Sequence, residues 1–166
     1  MLKNVVPEHI SSTVHKLRQV GARIDVKKNE LAIRAPRVLL PTNIKTMPYP
    51  GFPTDMQSQF TALLSLANGT SIVVENIFEN RFKYVNELIR MGANITIEGR
   101  SAIIQGVKKI NGATIETKDL RGGAALVIAS LAAEGESKIS GVHYLERGYE
   151  NFVNKLQLLG AKIEKK

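Results

Sequence analysis

The side chains that could do chemistry stand where the sequence predicts helix starts. They are Asp55, Asn80, Asp119, Arg121 and Arg147. An arginine in the first turn of a helix opposes the helix dipole, which favours an anion at that end. Arg121 and Arg147 both occupy such predicted positions. They therefore indicate a ligand whose phosphate or carboxylate binds a guanidinium and backbone N–H groups together.

A second interpretation of the two arginines is open at this level. Exposed arginines commonly pair with neighbouring acids, and such surface pairs contribute little stability. The acids near them in the pattern are Glu79, Glu146 and Glu150. The spacing alone fits an anion site and surface ion pairs equally well.

Asp55 follows a proline-rich segment, residues 46–53, which leads into a predicted helix over 55–68. Its three prolines fix their own φ and push the residues before them towards extended geometry, so the segment is stiff. Thr54 and Gln57 have the spacing of a capping box. A lone Asp at a helix start is most often only a cap. The rigid approach favours the other interpretation, a carboxylate held at the helix mouth for function.

Composition narrows the classes of function. The 166 residues carry a formal net charge of +8, which predicts an anionic partner. We expect a small anion and no nucleic acid, because only five Phe, four Tyr and no Trp are available to stack on bases. Phosphate-loop and dinucleotide fingerprints are absent, cysteine is absent, and the three histidines lack metal-ligand spacing. We therefore expect no cofactor and no metal.

The location of the protein is predicted from two absences. The first residues lack the long apolar region of a secretory signal. The most apolar run, residues 124–133, is too short to span a bilayer and is typical of a buried helix. We expect a cytoplasmic protein that does not enter the membrane.

A repeat of about 70 residues organises the chain. Gly-Ala pairs at 21–22, 92–93 and 160–161 each follow an amphipathic helix and precede a predicted strand. The repeating unit is β-α-β-α-β-β. We predict a single domain, 1–166, with one such unit at 43–106 and partial units at 1–36 and 112–166.

The polarity of the elements predicts how the units are arranged. Residues 124–133 are apolar on all sides, as expected of an enclosed helix, whereas the strands alternate apolar and polar residues, as expected of sheets with one wet face. The fold class is therefore mixed α/β, an inside-out α/β barrel with buried helices and outer sheets. We expect it to be incomplete at both ends, with open sheet edges that allow self-association.

Four ordered motifs resemble a known family. They are residues 48–57, 78–82, 119–126 and 147–150. They are similar to the C-terminal portion of the UDP-N-acetylglucosamine 1-carboxyvinyltransferase family of enolpyruvyl transferases. The Pro-Gly-Phe-Pro-Thr-Asp block at 50–55 separates this family from the related shikimate-phosphate enzymes.

The resemblance implies a reaction and a role for each motif. The family transfers enolpyruvyl from phosphoenolpyruvate to the 3-hydroxyl of UDP-N-acetylglucosamine, which starts peptidoglycan precursor synthesis for the cell wall and cell division. Asp55 would face that hydroxyl as a general base or orienting acceptor. The other implied substrate-binding residues are Ile77 and Phe78 for the nucleotide sugar, Arg121 and Arg147 for phosphoenolpyruvate, and Asp119 in support.

The resemblance also implies a missing complement. The family's Lys-Asn pair and its acid-donating loop belong to an N-terminal portion that no residue here matches, so we expect this chain alone to be inactive. The alternative is a non-catalytic module that reuses the repeat to bind anions or nucleic acid. Asp55 argues against it, because a carboxylate would repel a polyanion. A salt titration of RNA binding separates the two.

Overall fold

A computed structural model describes residues 1–165. Its strands are β1 (Leu2–Lys3), β2 (Arg23–Lys27), β3 (Glu30–Arg34), β4 (Ile44–Lys45), β5 (Thr70–Val74), β6 (Asn94–Glu98), β7 (Ser101–Gln105), β8 (Thr114–Glu116) and β9 (Lys138–Ser140). Its α-helices are α1 (Ser11–Gln19), α2 (Gln57–Leu64), α3 (Val85–Arg90), α4 (Leu120–Ala132), α5 (His143–Glu146) and α6 (Phe152–Leu158). Short 3₁₀ turns, Pro7–Ile10 and Thr54–Met56, precede α1 and α2.

The described strands form three separate sheets. Their orders are β1-β3-β2, β4-β5-β7-β6 and β8-β9. In the four-stranded sheet β4 runs parallel to β5, whereas β7 is antiparallel to both β5 and β6. The chain order β4-α2-β5-α3-β6-β7 is the predicted β-α-β-α-β-β unit.

The core lies around two buried helices. Seven of the eight residues of α2 are buried, and so are most residues in the first half of α4. The outer sheets keep one wet face, as in β8, where Ile115 is buried between exposed Thr114 and Glu116. The prediction of inner helices and outer sheets is therefore confirmed. The end of α4 departs from the predicted enclosed helix, because Leu131 is 43% exposed and Ala132 is exposed as well.

Two glycines let segments approach more closely than a side chain would allow. A Cβ on Gly106 would lie 1.6 Å from the backbone oxygen of Ala67, just after α2. A Cβ on Gly123 would lie 2.7 Å from the Thr117 hydroxyl oxygen, beside the first turn of α4. Glycine is needed at both positions because backbone or buried atoms occupy that space.

Several local predictions are wrong. Leu2–Lys3 forms β1, which pairs with β3 although no strand was expected before the first helix. The strand expected after Gly160 is absent from residues 161–165. The predicted helix over 55–68 is shorter, since α2 begins at Gln57 and ends at Leu64.

The predicted caps of the helices have mixed outcomes. Asp119 does cap α4, because its Oδ1 accepts from the N–H of Gly122 at 2.7 Å. The capping box is wrong, because the hydroxyl of Thr54 donates to Glu75 and caps no helix. Asn80 is not a cap either. It has a left-handed φ of 56°, and α3 begins only at Val85.

No helix within residues 1–165 has both the length and the apolar character that crossing a bilayer requires.

The buried position of α2 generates a stability prediction. Leu64 in α2 is fully buried, whereas Leu158 in α6 is 79% exposed. Leu64→Ala should lower the free energy of unfolding by about 2–5 kcal/mol through lost burial and the cavity it leaves. Leu158→Ala, the matched control, should change it by less than about 0.5 kcal/mol. Urea unfolding measures both, and equal losses would show that α2 is not in the core.

Candidate functional site

The site is built around the Asp55 carboxylate. Asp55 lies in the 3₁₀ turn before α2, and Arg121 lies in the first turn of α4. An Nη2 of Arg121 donates to Oδ2 of Asp55 at 2.6 Å, and an Nη2 of Arg81 donates to Oδ1 at 3.0 Å. Each carboxylate oxygen therefore has its own guanidinium. The Asp55 side chain is still 52% exposed, so solvent reaches the cluster.

The two arginines control the ionisation of Asp55. The hydrogen bond from Arg121 lowers the pKa of the Asp55 carboxyl below its usual value, although partial burial opposes this shift. The positive charges of Arg121 and Arg81 and the hydrogen bond from Arg81 lower the pKa further. The same contact with Asp55 raises the pKa of Arg121. A carboxylate held in this way is a weak base until a guanidinium leaves it.

Tyr149 and α2 hold the guanidinium of Arg121 from the other side. Nη1 of Arg121 donates to the Tyr149 hydroxyl at 3.3 Å, and the guanidinium lies 5.6 Å from the centre of the tyrosine ring. Nε2 of Gln59 donates to the same hydroxyl at 3.0 Å. The hydroxyl of Ser58 donates to the backbone oxygen of Arg121 at 2.9 Å. Both the head and the backbone of Arg121 are thereby fixed relative to α2.

Arg81 and Tyr149 are site residues that the sequence reasoning missed. The guanidinium of Arg81 lies 5.0 Å from the centre of the Phe78 ring, and the side chain is only 18% exposed. Both residues lie inside the quoted motifs, Arg81 within 78–82 and Tyr149 within 147–150. Their position inside these motifs was the sequence signal that could have identified them as site residues. A pattern of helix starts could not reveal Arg81, because it precedes α3 by four residues.

Ile77 and Phe78 lie next to this cluster and face solvent. They are 41% and 54% exposed, which is unusual for two adjacent apolar side chains without a function. Their backbone N–H groups donate to Oε1 of Glu75 at 2.8 and 3.0 Å. The loop is therefore fixed by its backbone while its side chains remain available to a ligand.

Asp119 and Arg147 differ from the predicted arrangement. One oxygen of Asp119 is engaged as the cap of α4, so its visible role is to fix the first turn that carries Arg121. Arg147 does not open a helix. It follows the last residue of the one-turn helix α5, and it is exposed. Within residues 1–165 its side chain makes no hydrogen bond or ion pair.

The interpretation of the arginines as surface ion pairs with glutamates is wrong within the described residues. Glu79 pairs with Arg100 at 3.9 Å, Glu150 pairs with Lys155 at 3.4 Å, and Glu146 pairs with Lys165. Arg121 instead meets Asp55. A cavity of about 340 Å³ beside α1 and β4 contains none of these site residues. The site is therefore an exposed cluster of charged side chains at the start of the buried helices α2 and α4.

Comparison with known proteins identifies the class. The family model described as EPSP synthase (3-phosphoshikimate 1-carboxyvinyltransferase) matches residues 1–156. The structure of the enolpyruvyl transferase NikO from Streptomyces tendae covers 93% of this chain at a TM-score of 0.84 and 28% identity, and the chain covers 36% of it. An EPSP synthase from Acinetobacter baumannii, at 17% identity and a TM-score of 0.68, shares the fold; the match covers 94% of this chain and 37% of that one. These matches define an enolpyruvyl transferase fold.

The curated relatives narrow the family. A UDP-N-acetylglucosamine 1-carboxyvinyltransferase of Desulfofundulus thermocisternus is 54% identical over 98% of this chain, which spans 67% of that protein. UDP-N-acetylglucosamine 1-carboxyvinyltransferase 2 of Geobacillus kaustophilus (strain HTA426) is 50% identical over 98% of this chain, which spans 38% of it. The chain belongs to the UDP-N-acetylglucosamine 1-carboxyvinyltransferase family. It covers only part of the length of these relatives.

The contact between Asp55 and Arg121 generates a titration prediction. The pKa of Asp55 should lie below the ordinary Asp value of about 3.9 and should rise towards it in Arg121→Gln. Arg90→Gln is the matched control, because Arg90 pairs with Glu87 away from the site. The Asp55 Cγ resonance followed by NMR against pH measures the shift. An equal pKa of Asp55 in the wild type, Arg121→Gln and Arg90→Gln would show that Arg121 does not lower the pKa of Asp55.

The contact between Asp55 and Arg121 also determines the direction in which the stability of the protein changes with pH. Because the pKa of Asp55 is depressed in the folded state, its contribution to stability is present above the unfolded value and is lost as the pH falls through the folded value. The difference in stability between wild type and Arg121→Gln should therefore shrink in acid. The contribution is small, because the carboxylate is half exposed.

Proposed function

We propose that this chain forms part of an enzyme that transfers enolpyruvyl from phosphoenolpyruvate to the 3-hydroxyl of UDP-N-acetylglucosamine and releases phosphate. One observation carries the proposal: two guanidinium groups converge on a single carboxylate in a chain of this family. The reaction would begin peptidoglycan precursor synthesis in the cytoplasm, and so serve cell-wall biogenesis, cell shape and cell division.

The Asp55 carboxylate occupies the position between the two arginines that we assign to the anion of the ligand. Arg121 and Arg81 each donate to a different oxygen of it, which is the geometry that paired guanidinium groups would offer a carboxylate substrate. Phosphoenolpyruvate carries a carboxylate and a phosphate. Its carboxylate would replace Asp55 at this pair of arginines, and exposed Arg147, which has no partner among the described residues, would supply charge to its phosphate.

Displacement by the substrate would activate Asp55. The hydrogen bond from Arg121 is the largest cause of its lowered pKa, so a substrate anion that takes Arg121 raises that pKa and makes Asp55 a stronger base. Asp55 would then accept the proton of the sugar hydroxyl as its oxygen attacks phosphoenolpyruvate. The methylene carbon would receive a proton from an acid supplied by the rest of the enzyme, and loss of phosphate together with one proton of the resulting methyl group would restore the double bond.

The remaining residues would bind and position. Exposed Ile77 and Phe78 would contact the nucleotide sugar, and Asp119 would support the site by fixing the start of α4. We assign the chain to one domain, 1–166, with units at 1–36, 43–106 and 112–166. Its partners would be the two substrates and the N-terminal portion of the same enzyme. No observation favours the nucleic-acid-binding module over this function.

Asp55→Asn tests the role of the carboxylate in a full-length transferase that contains this sequence. The amide keeps an acceptor oxygen but cannot take a proton, so kcat should fall by about 10²–10⁴-fold with little change in KM. Asp25→Asn on strand β2 is the matched control and should have no effect. Steady-state phosphate release measures both, and a nearly active Asp55→Asn enzyme would exclude the base.

Arg121→Lys and Arg147→Lys test the anion clamp in the same full-length enzyme. A point ammonium cannot reproduce a planar guanidinium fork, so each change should raise KM for phosphoenolpyruvate. Arg100→Lys is the control, because Arg100 is 61% exposed and pairs weakly with Glu79. Thermal unfolding of the variants should change little. If either variant has the same KM for phosphoenolpyruvate as the control, the arginine replaced in that variant does not belong to the anion clamp.

A further inference from the structure

A second carboxylate, Glu75, lies behind the site and is built differently from Asp55. It directly follows β5 and is 1% exposed. No cation among the described residues pairs with it. Burial of a carboxylate is costly unless hydrogen bonds compensate it, and here four neutral donors converge on the two oxygens.

The four donors come from three segments that the site requires. Oε1 accepts from the Thr46 hydroxyl at 2.8 Å and from the N–H groups of Ile77 and Phe78. Oε2 accepts from the Thr54 hydroxyl alone, at 2.9 Å. One carboxylate therefore joins Thr46, at the start of the proline-rich segment, and Thr54, directly after that segment, to the loop that carries the exposed apolar pair.

We propose that Glu75 is a positioning residue of the transferase site, which sets the place of the Asp55 carboxylate through Thr54 and the place of the Ile77–Phe78 loop through their N–H groups. The proposal rests on the proposed function, in which Asp55 acts on the sugar hydroxyl. Thr54 directly precedes Asp55 in the same 3₁₀ turn. A shift of that turn therefore moves Asp55 relative to Arg121 and Arg81.

The two oxygens of Glu75 allow the two links to be separated. Removal of Glu75 itself would strand four donors at once and destabilise the protein as a whole. Thr54→Val removes only the link through Oε2 and preserves the shape of the side chain. Thr54→Ser keeps the hydroxyl. The bonds from Thr46, Ile77 and Phe78 to Oε1 are untouched in both variants.

Thr61→Val is the matched control for loss of a buried hydroxyl. Thr61 is fully buried in α2 and donates to the backbone oxygen of Gln57, and its hydroxyl does not donate to Glu75 or Asp55. It should lower the melting temperature as Thr54→Val does. A merely structural role for Thr54 predicts that the two valine variants behave alike in every other measurement.

The experiment combines kinetics with the Asp55 titration. In the full-length transferase, Thr54→Val should lower kcat by about 10–100-fold at an unchanged KM for UDP-N-acetylglucosamine, because small displacements of a reacting group are costly to rate. Thr54→Ser and Thr61→Val should retain the wild-type kcat. In the 166-residue chain, the Asp55 pKa measured by NMR should rise towards about 3.9 in Thr54→Val alone.

Each other outcome decides against the proposal or against its premise. Wild-type kcat and titration in Thr54→Val would overturn it, and so would equal losses of kcat in the two valine variants. A lower kcat with an unchanged Asp55 titration would overturn the route through Asp55. If the wild-type enzyme itself shows no transfer, the proposed function fails, and the titration alone still decides whether Glu75 positions Asp55.

Discussion

The close packing of α2 against α4 is the constraint on which the rest of the structure depends. Both helices are buried, and the Ser58 hydroxyl ties the backbone of α4 at Arg121 to α2. Gly123 allows the first turn of α4 to lie against Thr117. Because the two helix starts are held side by side, the residues on them, Asp55 and Arg121, must meet.

The contact between Asp55 and Arg121 determines the electrostatics of the site. Arg121 gains nothing from the dipole of α4, since a cation at a helix N-terminus is disfavoured. Asp55 compensates it directly at 2.6 Å, and Tyr149 receives another of its N–H groups. The guanidinium is thus held at a place where the helix itself would prefer an anion. In the proposed function, an incoming anion would be attracted by the helix end and by the arginine together, and Asp55 would be the group that it displaces.

The sequence predicted those elements of this arrangement whose apolar and polar residues follow a local pattern. The apolar run 124–133 predicted a buried helix, and the alternation in β8 predicted an outer strand. Asp119 stands at a helix start that the sequence predicted, and it caps α4 by accepting from the N–H of Gly122. The pairing of Asp55 with Arg81 and Arg121 could not be derived in this way. It joins residues 26 and 66 positions apart, and only the packing of the helices brings them together.

The wrong predictions share a physical cause. Thr54 has the spacing of a capping residue, yet its hydroxyl donates to Glu75, because a hydrogen bond to a charged acceptor is stronger than one between neutral groups. Arg147 has the spacing of a first-turn residue, yet the chain forms the short helix α5 before it, and α6 begins only at Phe152. Local patterns were overridden in both cases by tertiary contacts, which no window of sequence contains.

Two carboxylates of the site, Asp55 and Glu75, lie 20 residues apart in sequence and have different surroundings. Glu75 is enclosed by neutral donors that come from the backbone and from hydroxyl groups. Such bonds are directional and fix geometry. Asp55 is half exposed and faces two guanidinium groups, whose attraction a competing anion can replace. Burial therefore makes one carboxylate a fixed anchor, and exposure leaves the other exchangeable. In the proposed reaction, the exchangeable carboxylate would act on the sugar hydroxyl, and the fixed one would hold it in place.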